Sequence, residues 1–142
     1  MKATGIVRRI DDLGRVVVPK EIRRTLRIKE SDPLEIFTDR DGKIILKKYS
    51  PIGELGDFAK EYAQSLAQVS GYTVCIADHD QIIAASGKRA KEYAGRLIDE
   101  ELETVILNRK TVKLAKKEAV RLTQNDAGGY QSQVISVITS LG

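Results

Sequence analysis

The sequence has 142 residues, 42% apolar and 31% charged, with one cysteine and one histidine. This composition excludes a disordered chain, a disulfide scaffold and a membrane span of about 20 apolar residues, and it leaves room for one or two small domains. The net charge of +4 is unevenly placed: residues 1–48 hold 13 Lys and Arg against 8 Asp and Glu, while residues 49–142 hold 11 against 12. The basic excess lies wholly in the N-terminal third and points to a polyanion partner for that segment alone.

In chain order, Ile6, Val7 and Ile10, then Val16, Val17 and Val18, are strand-forming residues on either side of the turn signal Asp11-Asp12-Leu13-Gly14. Pro19 removes a ladder donor, so the strand stops there, and the same residue suits a helix start. At about 100° per residue, Ile22 and Leu26 fall on one side of that helix; Lys20, Arg23, Arg24 and Arg27 fall on the other. With Arg8, Arg9 and Arg15, six arginines lie within residues 8–27. Ile28 to Asp32 is a polar exit. Leu34–Thr38 and Lys43–Lys47 are strands around the turn Asp39-Arg40-Asp41-Gly42. Residues 1–48 thus read as four short strands and one helix of two to three turns. Such a segment buries too little surface alone, and without metal ligands or a disulfide it needs a second copy.

The strings GRVVVPKEIRRTL and IILKKY, within TGIVRRIDDLGRVVVPKEIRRTL…DPLEIF…DGKIILKKYSP, resemble the N-terminal domain of the AbrB family of transition-state regulators. That resemblance implies a swapped-hairpin fold in which two chains interleave into one DNA-binding dimer. It also implies DNA contacts by Arg8, Arg15, Arg23 and Arg24, with Arg9 at a position where the family tends to be basic.

Lys47 to Gly53 reads as a linker broken by Pro51 and Gly53. Glu54 to Ser70 reads as a helix with Leu55, Phe58, Tyr62, Leu66 and Val69 in an apolar stripe, Ala59 alongside, packed on its own domain, on a second subunit, or on both. Gly71 ends it. Tyr72–Ala77 and Gln81–Ala85 form a hairpin around Asp78-His79-Asp80, and Lys88–Gly95 is a short polar helix. Leu97–Asn108 is a longer helix carrying Ile98, Leu102, Val105 and Ile106 on one face, with Asp99, Glu100 and Glu103 outside. Thr111–Leu114 and Ala119–Thr123 are weak strands, Asn125–Gly129 is a loop, and Gln133–Thr139 is a strand suited to a central position. This order resembles part of a GAF domain, whose pattern calls for another strand and a final helix after Ser140-Leu141-Gly142, so an open strand edge is expected.

The expected architecture is therefore α+β: residues 1–50 a swapped-hairpin AbrB-like domain, 51–70 a linker and helix, and 71–142 a partial GAF-like regulatory or oligomerisation domain. Catalytic chemistry is not indicated. His79 lies in a turn with too few ligands for a metal, Cys75 has no identifiable base, and Gly128-Gly129 lacks the lysine and helix of a phosphate loop. The acids from Asp99 to Glu103 are explained by solvation. No cofactor is expected. MKATGIVRRI has no signal-peptide core and Cys75 is single, so a cytoplasmic location is expected.

The chain reads as a dimeric or tetrameric transcription regulator, with duplex DNA and itself as partners, no membrane, and an unidentified small molecule as a conceivable ligand of the second part. Within the AbrB family the joined order resembles regulators that activate and repress genes during endospore formation. The alternative is an antitoxin of the MazE type, which shares the swapped-hairpin domain but usually ends in a short acidic tail. A third reading, a metabolite sensor or enzyme, has no motif behind it.

Overall fold

The computed structural model describes residues 4–139; residues 1–3, and residues 140–142 on which the expected break in the GAF-like pattern falls, lie outside the described residues. Two compact units divide between Tyr49 and Ser50.

In the first unit, α1 (Lys20–Thr25) follows Pro19, whose carbonyl accepts the first helical bond from Arg23 N. The helix is shorter than expected because it closes at once in a Schellman turn. Arg27 takes a left-handed φ of 55°, Arg27 N donates to Arg24 O, and Ile28 N donates to Arg23 O. The second hairpin forms as expected from β1 (Leu34–Thr38) and β2 (Ile44–Lys48), antiparallel, with Ile36 opposite Leu46.

The two turns of this unit are built alike. Asp39 N donates to Lys43 O, Gly42 N to Asp39 O, and Asp39 Oδ1 accepts from Asp41 N and Lys43 N. In the earlier turn Asp11 N donates to Arg15 O, Gly14 N to Asp11 O, and Asp11 Oδ1 accepts from Leu13 N and Arg15 N. Gly14 and Gly42 supply φ of 76° and 78°. The turns differ in what flanks them. The strands expected at Ile6–Ile10 and Val16–Val18 do not form in the single chain, where these segments are irregular. Most of their apolar side chains are left in solvent: Val7 is 88% exposed and Val17 69%, while Val18 is half-buried. Among the described residues, the buried hydrophobic core lies entirely in the second unit.

That unit begins with α2 (Pro51–Glu54), so Pro51 starts a helical turn where a linker was expected. Next, α3 (Gly56–Ser70) ends at Gly71 in a left-handed cap with φ 75°. It packs on the hairpin of β3 (Val74–Ala77) and β4 (Ile82–Ser86) through a seam the sequence reading did not single out. Ala59 and Ala63 meet Ala84, flanked by Val74, Ile76 and Ile83. The larger residues of the expected stripe face away: Leu55, Phe58, Tyr62, Leu66 and Val69 are all more than half exposed. Small side chains let helix and hairpin approach closely, so they take the inner face. Gly87 is required where β4 ends, because a Cβ there would lie 2.7 Å from Thr73 Cα.

A second cluster joins Ile82, Tyr93, Ile98 and Leu102, with Leu122, Tyr130 and Ile135 against it. Tyr93 comes from α4 (Ala90–Tyr93), so the segment read as polar supplies a core anchor. The next helix, α5 (Glu100–Leu107), starts three residues later than Leu97, because Leu97 and Ile98 form bridges to Gln81 and Thr123. Asp99 is not an outer acid. It is a buried N-cap whose side chain accepts from Glu101 N. Residues 119–123 form only the Thr123 bridge instead of a strand. Finally β5 (Val112–Ala115) pairs with β6 (Ser132–Ile135) alone, so the strand expected at a sheet centre stands in a two-stranded ribbon.

Candidate nucleic-acid interface

The geometry around Arg15 is set by its turn. Asp11 Oδ2 pairs with Arg15 Nε at 2.8 Å while Oδ1 accepts the Arg15 backbone N–H, also at 2.8 Å. The backbone bond from Arg15, reinforced by its guanidinium and by Leu13 N, holds the Asp11 carboxyl below its ordinary value. One carboxylate thus locks the turn and aims the guanidinium, whose remaining N–H groups stay open at 70% side-chain exposure. The sequence reading took Asp11 only as a turn residue. The signal for its second role was present: an aspartate four residues before an arginine, across a glycine turn.

Arg8 and Arg9 lie in the segment before this turn, both exposed. Arg23 and Arg24 are exposed on the last turn of α1, and also favour the negative end of its dipole. Arg27, counted on the basic face from sequence, is instead half-buried in the left-handed closing position, and its carbonyl accepts from Lys48 Nζ at 3.2 Å. The five arginines singled out are therefore all solvent-facing, two before the turn, one on it and two on the helix. Exposed guanidinium groups can bind phosphate oxygens bidentately or reach guanine edges.

Among the described residues no group of His, Cys, Asp and Glu is placed to hold a metal ion. Burial, and next the Asp126 carboxylate, push the Cys75 thiol up to about 11. No helix among the described residues is long and apolar enough to cross a membrane.

The second unit holds one polar network that sequence reading missed. Arg89 lies over the rings of Tyr93 and Tyr130, 5.4 and 5.2 Å from their centroids, and donates to Gly128 O at 2.9 Å. The Tyr93 and Tyr130 hydroxyls are 2.8 Å apart, and Tyr130 donates to Asp126. Asp126 also accepts from Leu122 N and Gly128 N, and its side chain is fully enclosed. Every member has a partner within the network, which ties the 122–130 loop to α4.

The profile described as "Stage V sporulation protein T C-terminal, transcription factor" matches residues 54–142. That described as "Antidote-toxin recognition MazE, bacterial antitoxin" matches residues 7–54. The chain is 56% identical over 142 residues to stage V sporulation protein T of Bacillus subtilis (strain 168), covering all of this chain and 80% of that protein. It is 69% identical over 51 residues to transition state regulatory protein AbrB of the same organism, covering 36% of this chain and 52% of that protein. Among solved structures, the solution structure of the N-domain of the transcription factor abrB shares 67% identity over 36% of this chain and 96% of that one, with a TM-score of 0.33.

Proposed function

This chain belongs to the stage V sporulation protein T family of AbrB-type transcription factors and is a DNA-binding transcription regulator; from that premise we propose that Arg8, Arg9, Arg15, Arg23 and Arg24 form its DNA-contacting surface. The observation that carries this reading is the exposure of all five on a unit that holds the whole basic excess of the chain. Phosphate contacts fix position, and one or more of the guanidinium groups reads base edges.

The surface is complete only in a dimer. The unpaired segments around Asp11–Arg15 carry the same turn as the paired hairpin at Asp39–Lys43, and most of their apolar side chains are bare. Interleaving with a second copy supplies the missing ladder, the swapped-hairpin arrangement. Burying each of those valines and isoleucines contributes roughly 1.5–3 kcal/mol. The exposed Leu55, Phe58, Tyr62, Leu66 and Val69 of α3 support a further contact between copies, giving a tetramer. Residues 1–50 are thus the DNA-binding domain and 51–70 the connecting and oligomerising segment. Residues 71–142 are a GAF-like regulatory domain whose ligand, if it takes one, is a small molecule. The regulated genes are those of endospore formation, both activated and repressed. The antitoxin reading draws on residues 7–54 alone, whereas the relative matched over the full chain is a sporulation protein.

The test is duplex binding as a function of salt, wild type beside Arg15→Ala/Arg24→Ala, with light scattering to follow assembly. The double variant stays assembled, binds more weakly by about 1–3 kcal/mol per lost base contact, and has a shallower salt slope. An assembled variant with wild-type affinity and slope would move the site elsewhere.

A further inference from the structure

We propose that the second unit carries a phosphate-binding strip of its own, from Arg109 through Lys117, which holds duplex DNA in addition to the contacts of the N-terminal arginines. This rests on the reading of the chain as a DNA binder.

The near-neutral charge of residues 49–142 hides a strong segregation. Residues 109–121 contain Arg109, Lys110, Lys113, Lys116, Lys117 and Arg121 against one carboxylate, Glu118. Glu118 is occupied: its Oε2 accepts from Ala115 N at 3.2 Å, which closes the 3-10 turn Lys116–Glu118. Arg121 is the one cation neutralised at home, 3.6 Å from Glu101 and 3.8 Å from Asp99. The other five are exposed, and among the described residues none of them forms an ion pair.

Strand geometry sets Lys113 outward. Along β5 the half-buried Val112 and Leu114 alternate with exposed Lys113 and Ala115, so Lys113 stands on the outer face. The paired strand adds no negative charge: Ser132, Gln133, Val134 and Ile135 lie opposite. Arg109 occupies the left-handed position just past α5, φ 51°, where glycine or asparagine is the ordinary choice. Five unneutralised cations on a short edge match the spacing-tolerant, sequence-independent chemistry of a phosphate backbone.

The test uses the full chain, mixed-sequence duplexes of ~12 and ~40 base pairs, and the variant Arg109→Gly/Lys113→Gln/Lys116→Gln/Lys117→Gln. Glycine keeps the left-handed turn, and glutamine keeps the length of the stems. On the long duplex the slope of log K against log salt becomes shallower by two or more. On the short one it matches wild type. Equal slopes on the long duplex would overturn the strip; an equal loss on both lengths would also overturn it, marking a general charge effect. Failure of the wild type to bind either duplex would instead strike the DNA-binding reading itself. Circular dichroism screens the fold, and if the quadruple variant unfolds, Arg109→Gly alone carries the test, with a slope change of about one on the long duplex.

Discussion

Residues 50–139 close two clusters, Ala59–Ala63–Ala84 and Ile82–Tyr93–Ile98–Leu102, whereas residues 4–49 leave Val7, Ile10, Leu13, Val16 and Val17 in solvent. Both contain well-formed turns, so local structure does not separate them. What separates them is where the partner surfaces come from. In the second unit they lie within one chain. In the first the described residues do not supply them, and the unit with the bare surface is the one that carries the five arginines. In the proposed reading, a DNA-binding face built on such a unit exists only when two copies meet, which couples DNA affinity to assembly.

The strongest way to break the contrast is to charge the bare face. Val16→Asp/Val17→Asp is expected to abolish self-association and weaken duplex binding by about a hundredfold or more, with the second unit still folded. Each substitution removes roughly 1.5–3 kcal/mol of burial from each copy. Sedimentation and a binding titration report it.

On the other side, Leu102→Ala opens the second core and is expected to cost about 2–5 kcal/mol in denaturant unfolding of that unit. Residues 6–28 should keep their exchange behaviour.

A smaller effect separates the units by pH. Burial alone would raise the Asp126 carboxyl, but Tyr130, Leu122 N, Gly128 N and Arg89 together hold it below its ordinary value. Its folded pKa therefore lies below the unfolded one. The contribution is complete above about pH 4 and is lost as pH falls through the depressed folded value. Asp126→Asn should flatten the acid limb of second-unit stability and cost about 1–3 kcal/mol at neutral pH. The same unit shields Cys75, whose thiol should resist alkylation at pH 8 until the unit opens. The smallest expected change is Asp11→Ala, which frees Arg15 and lowers duplex affinity by about threefold, with assembly retained.

The sequence was most legible where contacts are local. The Asp39–Gly42 turn and its flanking alternation locate β1 and β2, and Gly71 marks the end of α3. It was less legible where small residues do the packing. The Ala59–Ala63–Ala67 seam lies about 100° around α3 from the larger stripe. Size drew attention to Phe58 and Tyr62, while close approach to Ala84 selected the alanines. Asp99 looked like one acid among several because its capping role depends on where the helix starts. The Arg89–Tyr93–Asp126–Tyr130 network joins residues more than thirty positions apart, beyond any local spacing rule. Clustering and family likeness single out the five arginines proposed to contact DNA, but they give no hint of the Asp11 clamp on Arg15.

The most direct test of the central claim is amide exchange at Ile6–Ile10 and Val16–Val18, run beside sedimentation on one dilution series. The account predicts that these amides are protected in the associated protein and exchange freely as it dissociates, while those of β3 and β4 stay protected throughout. Protection of residues 6–18 in a monomer, or free exchange of them in a stable dimer, would contradict it.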